Sequence, residues 1–284
     1  MTPLRSSSAG GGIPKVIHFM WFSPDDDNVS SYPKERYSKF VESWKTHHPD
    51  FEFKFWYNRD ILNLWTDPFL RPFKDLYEKM LLIEKCDFTR YAIMYLFGGV
   101  YVDLNTMCHR NIGELIHNRE LVLSPEPQEH NVLWNNELVT NSFLASAPGQ
   151  SFWIEFMRHI SRNYWNWTEG NSKKHLVLIN TGPAALGRFA TQYFGKQSSV
   201  FVDVCQVQPL YRKGNASLTS EQCKGPHIPQ PYCAKHWQFS AGWGNGWNSL
   251  QQQKRAYIWA LVILLLLVVL LIAVFSSKAR EKRY

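Results

Sequence analysis

The sequence predicts an α/β protein with a mostly parallel sheet and one further helix that crosses a membrane. Three observations carry this prediction. Short apolar segments alternate along the chain with segments of helical period, which is typical of strands and helices that build a parallel sheet. Two glycines, at positions 98 and 99, end one such helix directly before a buried strand at residues 100–103. An uncharged run at residues 257–275 is long enough to span a bilayer.

The composition allows a sizeable core and argues against nucleic acid as a partner. The 284 residues are 45% hydrophobic and 15% aromatic, which is ample for a large folded domain. The net charge of +7 is spread along the chain, and there is no zinc-finger spacing, RNA-binding signature or basic helix. Such a basic surface suits anionic lipid headgroups or a nucleotide diphosphate.

The predicted elements follow in order from the amino terminus. Residues 1–12 form a disordered Ser/Gly-rich tail, and one domain covers residues 13–247. The apolar segments 15–22 and 51–57 predict strands, with a helix over 33–47 between them. A single long helix is predicted over 74–97, followed at once by a strand at 100–103. Beyond these we expect helices over 151–164 and 183–194, and a loop-rich segment over 205–247.

The carboxyl-terminal run YIWALVILLLLVVLLIAVF, residues 257–275, predicts a transmembrane helix after a linker at 248–256. It holds 19 residues without a charge, enough for the apolar core of a bilayer at about 1.5 Å per residue. Tyr257 and Trp259 stand at its boundary, as interfacial aromatic residues do. The alternative is a helix buried in a protein core.

The orientation of this span is left open by the sequence. The basic tail 276–284 has more Lys and Arg than the linker, so the positive-inside rule places residues 1–256 in the lumen of the secretory pathway, the Golgi being favoured. Glycosylation sequons at Asn28, Asn166 and Asn215 agree with this orientation. No signal peptide is visible, which favours a domain in the cytosol.

The five cysteines predict one or two disulfides in the loop-rich segment. Cys205, Cys223 and Cys233 cluster there, a spacing that suits disulfides in an oxidising compartment. Because the total is odd, at least one thiol stays unpaired, and we expect it near the buried strand.

The stretch GGVYVDLNTM, residues 98–107, ends a buried strand on Asp103, and Asn105 follows. Open α/β sheets bind ligands at the carboxyl ends of their strands, although Asp and Asn are also ordinary turn formers. The preceding helix carries Asp87 and Arg90 three residues apart, with Tyr91 on the same face. Since this helix leads straight into the glycines, we expect these polar side chains to meet in one cleft. The alternative is a surface ion pair between Asp87 and Arg90.

The segment CDFTRYAIMYLFGGVYVDLN, residues 86–105, resembles the DXD region of the sugar-binding DXD-motif glycosyltransferases. That family includes inositol phosphoceramide mannosyltransferases and the initiating α-1,6-mannosyltransferase. The segments IPKVIHFMWF, SWKTHHPDFEFKFW, NSFLASAPGQSFW, TGPAAL and HWQFSAGW resemble its other motifs, so the resemblance covers most of residues 13–243. It implies a GT-A fold, a Rossmann-like nucleotide-sugar domain.

The resemblance also implies roles for individual residues. Asp103, Arg90 and Asp87 are the implied catalytic residues, and the donor-binding set adds Trp21, Tyr91 and Asn141. Mn²⁺ or Mg²⁺ is the implied cofactor, with Asp103, Asn105 and His236 as ligands. Trp21 and His236 also fit ordinary core or surface roles, and Thr181 to Pro183 fits a simple turn. Asn105 departs from the family pattern because an amide brings no charge to a cation.

The implied activity is retaining transfer of a hexose by a membrane-anchored enzyme. The favoured donor is GDP-mannose, and the favoured acceptor is a membrane lipid such as inositol phosphoceramide. One alternative is transfer of another hexose onto a glycan or glycoprotein. Another, which Asn105 favours, is a non-catalytic partner subunit that binds nucleotide sugar or lipid.

Overall fold

The computed structural model describes residues 11–23, 28–131, 138–165, 173–196, 198–213, 216–225, 228 and 230–236. These residues lie within the first of two compact units of the chain, Met1–Ser240. No helix in this described part is both long and apolar enough to cross a membrane. The predicted span at 257–275 lies outside the described residues.

The described residues form nine strands and ten α-helices. The strands are β1 Val16–Met20, β2 Glu52–Trp56, β3 Gly99–Val102, β4 Thr106–Cys108, β5 Leu121–Val122, β6 Phe143–Ser146, β7 Leu210–Lys213, β8 Ala216–Thr219 and β9 Cys233–Lys235. The helices are α1 Lys34–His47, α2 Asn58–Leu64, α3 Lys74–Lys79, α4 Leu82–Phe97, α5 Gly113–Ile116, α6 Gln128–Asn131, α7 Ser151–Asn163, α8 Lys173–Asn180, α9 Pro183–Phe194 and α10 Val204–Val207.

The central sheet has the strand order β2-β1-β3-β6-β5. Strand β1 pairs in parallel with β2 and β3, whereas β6 is antiparallel to both of its neighbours. Every strand except β6 therefore runs in the same direction. This mostly parallel sheet fits the GT-A-like α/β fold that the sequence predicts.

Helices cover both faces of the sheet. On one face Phe40 and Trp44 of α1 belong to the same buried cluster as Val100 and Val102 of β3. On the other face Tyr91 of α4 stacks on Trp153 of α7 at 5.7 Å between ring centroids. Both faces of β3 are thus buried, which explains why its sequence is continuously apolar.

The long helix predicted over 74–97 is two helices in the structure, α3 and α4. Met80 and Leu81 between them are extended, with ψ angles of 150° and 154°. The Leu81 backbone N–H donates to the Glu84 carboxylate at 3.0 Å, which starts the second helix. Glu84 also accepts hydrogen bonds from Tyr164 and Asn180. A buried carboxylate with partners on other elements therefore sets the break, which the local apolar pattern does not reveal.

The segment predicted as loop-rich over 205–247 contains α10, the β7–β8 hairpin and β9. One disulfide, Cys205–Cys223, lies in it, in agreement with the cysteine spacing. Cys86, Cys108 and Cys233 are free thiols. Because β9 pairs with β4, close to the end of β3, this late segment returns to the centre of the molecule.

The turn from α4 to β3 is held by glycine geometry and a buried histidine. Gly98 and Gly99 have φ angles of 62° and 83°, and a Cβ atom on Gly99 would lie 2.6 Å from the Val16 carbonyl oxygen. His18 on β1 accepts a hydrogen bond at Nδ1 from the Trp56 indole, 3.1 Å away. Its Nε2 therefore carries the proton and donates to the Gly98 carbonyl at 2.9 Å.

The buried His18 predicts acid-sensitive folding. Burial lowers the pKa of His18 to about 3, against about 6.5 for an exposed histidine. Below pH ~6.5 this histidine is protonated in the unfolded chain but stays neutral in the folded chain. The free energy of unfolding therefore falls by about 1.4 kcal/mol for each unit by which the pH is lowered. We expect His18→Gln to be less stable than wild type at neutral pH, with a difference that narrows as the pH falls towards 4. Denaturant unfolding at several pH values tests this, and parallel curves would contradict it.

Candidate functional site

Asp103 lies immediately after β3, at the carboxyl end of the central sheet. Its backbone N–H donates to the Ser142 carbonyl at 2.9 Å, which continues the pairing of β3 with β6 for one residue. The Tyr101 hydroxyl donates to Asp103 Oδ1 at 3.0 Å. The Asp103 side chain keeps 19% of its surface exposed, so it lies at the rim of the cluster described next.

Arg90 on α4 connects Asp103 to the interior of the protein. Its Nη1 donates to Asp103 Oδ1 at 3.1 Å and to the Asn141 carbonyl oxygen at 2.6 Å. Its Nη2 lies 3.3 Å from Asp87 Oδ1, and the guanidinium lies 4.8 Å from the centroid of the Tyr101 ring. With only 6% of the side chain exposed, Arg90 is a buried cation between two carboxylates. The surface ion pair that was the alternative for Asp87 and Arg90 is therefore wrong.

Asp87 is held by Arg90 on its own helix and by donors from two other parts of the chain. Besides Arg90, it accepts hydrogen bonds from Asn141 Nδ2 at 2.9 Å and from the Thr181 hydroxyl at 3.1 Å. The Tyr91 hydroxyl in turn donates to the Thr181 carbonyl at 2.6 Å. Burial raises the pKa of Asp87 to about 7, although Arg90 and Thr181 favour its ionised form.

The topology explains why these residues meet. Strand β6 runs antiparallel to β3 with Val102 opposite Phe143, so Asn141, just before β6, lies beside the end of β3. Thr181 lies in the turn between α8 and α9, and its side chain is fully buried. The sequence left open whether Thr181 to Pro183 is only a turn, and the hydrogen bond to Asp87 shows that it also supports the site.

Lys235 is the residue of this cluster that the sequence did not single out. It is the last residue of β9, and its Nζ lies 2.6 Å from Asp103 Oδ2. Burial alone would raise the pKa of Asp103, but Lys235 and Arg90 outweigh burial and hold this pKa below its usual value. Its position directly before His236, a predicted ligand, was the signal that could have pointed to it.

Asn105 and His236 pair through one backbone hydrogen bond and one from the Asn105 side-chain amide. The His236 backbone N–H donates to the Asn105 carbonyl, and Asn105 Nδ2 donates to the His236 carbonyl, each at 2.9 Å. The His236 ring packs against Phe40 with 5.5 Å between ring centroids. Burial, together with the neighbouring His109 and Lys39, lowers the pKa of His236. Asn105 thus connects the end of β3 to the end of β9.

The predicted divalent-cation site can be tested against this donor set. Both Asp103 oxygens already bind cationic side chains, and no group of three or more His, Cys, Asp or Glu side chains suited to a metal occurs in the described ranges. A divalent ion about 4 Å from the Lys235 ammonium would be repelled by roughly 8 kcal/mol at an effective dielectric constant of about 20. The residues therefore do not fit a divalent cation while Lys235 holds Asp103.

Trp21, the predicted platform for the donor base, follows β1 at the same end of the sheet. It is half-buried, and its ring centroid lies 5.8 Å from that of Tyr37 on α1. The two alternatives for Trp21, base stacking and core packing, are both compatible with a half-buried ring. Its role in donor binding stays a prediction.

One family of known proteins matches the part of the chain that contains most of this cluster. The family model described as "Glycosyltransferase sugar-binding region containing DXD motif" matches residues 34–122, from the start of α1 to the end of β5. These residues are similar to the sugar-binding region of that glycosyltransferase family. Asp87, Arg90, Asp103 and Asn105 all lie within the matched residues, so the family resemblance found in the sequence is confirmed there.

Curated proteins similar to this chain include mannosyltransferases. It is 28% identical to inositol phosphoceramide mannosyltransferase 3 of Schizosaccharomyces pombe, over 63% of this chain and 45% of the relative. It is 27% identical to the initiation-specific alpha-1,6-mannosyltransferase of Candida albicans, over 58% of this chain and 40% of the relative. The chain spans about half the length of the first curated relatives it matches. The solved PaToxG glycosyltransferase is similar over 64% of this chain and 70% of its own, with 15% identity and a TM-score of 0.47.

Proposed function

We propose that this protein transfers mannose from GDP-mannose to a membrane lipid of the inositol phosphoceramide type. Two findings support the proposal. The family region covers the polar cluster at the end of β3, and several relatives are named for mannosyl transfer to inositol phosphoceramide. The basic chain, with a net charge of +7, suits both an anionic nucleotide sugar and an anionic lipid headgroup.

The observation that carries the proposal is the line of alternating charges from Asp87 through Arg90 and Asp103 to Lys235. Its inner members are 6% exposed, whereas Asp103 and Lys235 at the rim are 19% and 12% exposed. Asp87 and Asn141 hold Arg90 in place, and Arg90 in turn orients the Asp103 carboxylate. Because these side chains are already in place, they can stabilise the charge that develops on the substrate without first having to reorganise.

The proposed reaction follows from these charges. The bond between the anomeric carbon and the diphosphate breaks, and its electron pair leaves with the diphosphate. The acceptor hydroxyl bonds to the same face of the anomeric carbon, which retains its configuration, and the hydroxyl proton passes to the released diphosphate. Asp103, which Arg90 orients, is proposed to bind the sugar hydroxyls and to position the anomeric carbon for this exchange.

Two other functions compete with this proposal. Transfer onto a glycan is supported by the relatives named initiation-specific alpha-1,6-mannosyltransferase. A non-catalytic partner subunit is favoured by Asn105, because the second carboxylate of the family motif is missing. Such a subunit would bind the donor without turning it over.

A transfer assay with the full chain in detergent separates these functions. We expect labelled mannose to move from GDP-mannose to inositol phosphoceramide, and no transfer by the Arg90→Met variant. Transfer only to a mannose oligosaccharide would support the glycan-modifying alternative. Donor binding without transfer or hydrolysis in either assay would support the partner subunit.

We further propose that the domain faces the lumen of the secretory pathway, the Golgi being favoured. The charges around residues 257–275 motivate this orientation, and the sequon residue Asn28 is exposed. Expression in eukaryotic cells should then yield an endoglycosidase-sensitive glycan that Asn28→Gln, Asn166→Gln and Asn215→Gln together remove. Complete digestion of the domain by protease added outside intact vesicles would instead place it in the cytosol.

A further inference from the structure

Lys235 is fixed beside the end of β3 because its own strand and the residue after it both pair with residues 105–106. Strand β9 places it opposite Thr106 of β4, and the residue after it exchanges two hydrogen bonds with Asn105. Its side chain is 12% exposed and holds Asp103 Oδ2 at 2.6 Å. A lysine in this position is not a mobile surface charge but part of the polar cluster.

The charges at this rim differ from those of a site built around a divalent ion. A motif with two carboxylates presents two negative charges to a cation. In this chain the motif has only one carboxylate, Asp103, because the side chain at position 105 is an amide. Arg90 lies on one oxygen of that carboxylate and Lys235 on the other. Because two cationic side chains flank a single carboxylate, the rim favours an anion rather than a further cation.

We infer that Lys235 supplies the positive charge for the donor's diphosphate, in place of a divalent cation. This inference rests on the proposed function, because it takes a nucleoside diphosphate sugar as the ligand. The Lys235 ammonium lies at this rim, 2.6 Å from Asp103, where its charge attracts the phosphate oxygens of the donor. When the diphosphate leaves with the bonding electron pair, Lys235 stabilises the added negative charge.

The arrangement also assigns Asn105 a positioning role. Its amide donates to the His236 carbonyl, which a carboxylate at position 105 cannot do. Asn105 therefore joins β9 to the end of β3, next to the lysine that holds Asp103. The departure from the family motif and the presence of Lys235 are thus two parts of one site.

Calorimetric binding of GDP to the full chain in detergent tests the inference. We expect GDP to bind in excess EDTA, with an affinity that Mn²⁺ changes by less than about threefold. Lys235→Met should weaken GDP binding by at least about tenfold and weaken GMP binding less, because GMP lacks the second phosphate. Lys235→Arg should retain most of the affinity, since the charge is kept.

A second lysine gives the matched control. Lys224 forms an exposed ion pair with Glu221, so Lys224→Met should bind GDP as wild type does. Wild-type binding that requires Mn²⁺ would overturn the inference, a result that needs no variant. Equal GDP affinity in Lys235→Met and wild type would also overturn it.

The same titrations separate this inference from the proposed function. If UDP binds and GDP does not, the proposed donor is wrong, and the UDP titrations of wild type and Lys235→Met decide the role of Lys235. If neither nucleotide binds with or without Mn²⁺, both proposals fail. If GDP binds but no mannose is transferred, only the proposed reaction fails.

Discussion

Arg90→Met should abolish transfer and lower the free energy of unfolding by about 3–5 kcal/mol, the cost of removing one partner of a buried ion pair. The loss is large because Asp87 and Asp103 both face Arg90, and Asp87 is almost fully buried. The Asn141 carbonyl oxygen loses its donor as well. Denaturant unfolding measures the stability, and the transfer assay measures the activity.

Arg158→Met is the matched control because Arg158 forms an exposed ion pair with Glu155 on α7. Its loss should change the free energy of unfolding by at most about 1 kcal/mol. Arg90→Lys adds a second comparison: the charge stays, but a single ammonium cannot reproduce the planar fork that reaches both carboxylates. An Arg90→Lys variant with wild-type transfer would show that charge alone suffices and that the fork geometry is irrelevant.

Asp103→Asn is the second variant with a large expected effect. The substitution keeps an acceptor oxygen for Arg90 or Lys235 but removes the negative charge between them. We expect transfer to fall by about 10²–10³, the usual cost of losing one pre-arranged electrostatic group. The free energy of unfolding should fall by only about 1–3 kcal/mol.

The double variant Asp103→Asn/Lys235→Met distinguishes a stability effect from a catalytic one. Removing Lys235 as well leaves no uncompensated ammonium, so part of the lost stability should return while transfer stays low. Asp50→Asn is the control for removal of a carboxylate, since Asp50 pairs with Lys15 at the surface. Wild-type transfer in Asp103→Asn would remove this carboxylate from the active site.

The local features of the site were open to prediction from the sequence. Gly98 and Gly99 indicate a turn whose backbone geometry other residues fit poorly. The apolar residues that follow them indicate a buried strand. Asp87 and Arg90 lie three residues apart, which places them on one face of any helix. Asp103 is the first polar residue after this apolar strand, so its position at the strand end can be read from the sequence. These inferences depend only on residues close in sequence, where backbone geometry fixes the spacing.

The break between α3 and α4 was not open to prediction in this way. The apolar pattern continues across Met80 and Leu81. Glu84 is held by Tyr164 and Asn180, which lie far from it in the sequence. Glu84, three residues after Leu81, was a local signal for a helix start, but the distant partners that bury it were not visible in the sequence. For the same reason the sequence predicted one helix where the structure has two.

The sequence alone thus determined the resemblance to the DXD-motif glycosyltransferases, the alternation of strands and helices, and the polar residues at the end of β3. Only the tertiary structure decided which charges face each other. Lys235 and Asp103 are separated by 132 positions, and Asn141 and Asp87 by 54. Their contacts depend on the antiparallel direction of β6 and on the pairing of the three-residue strand β9 with β4. The spacing of apolar residues shows which side of a helix or strand is buried. The partner of a buried charge is instead set by the order and register of the strands.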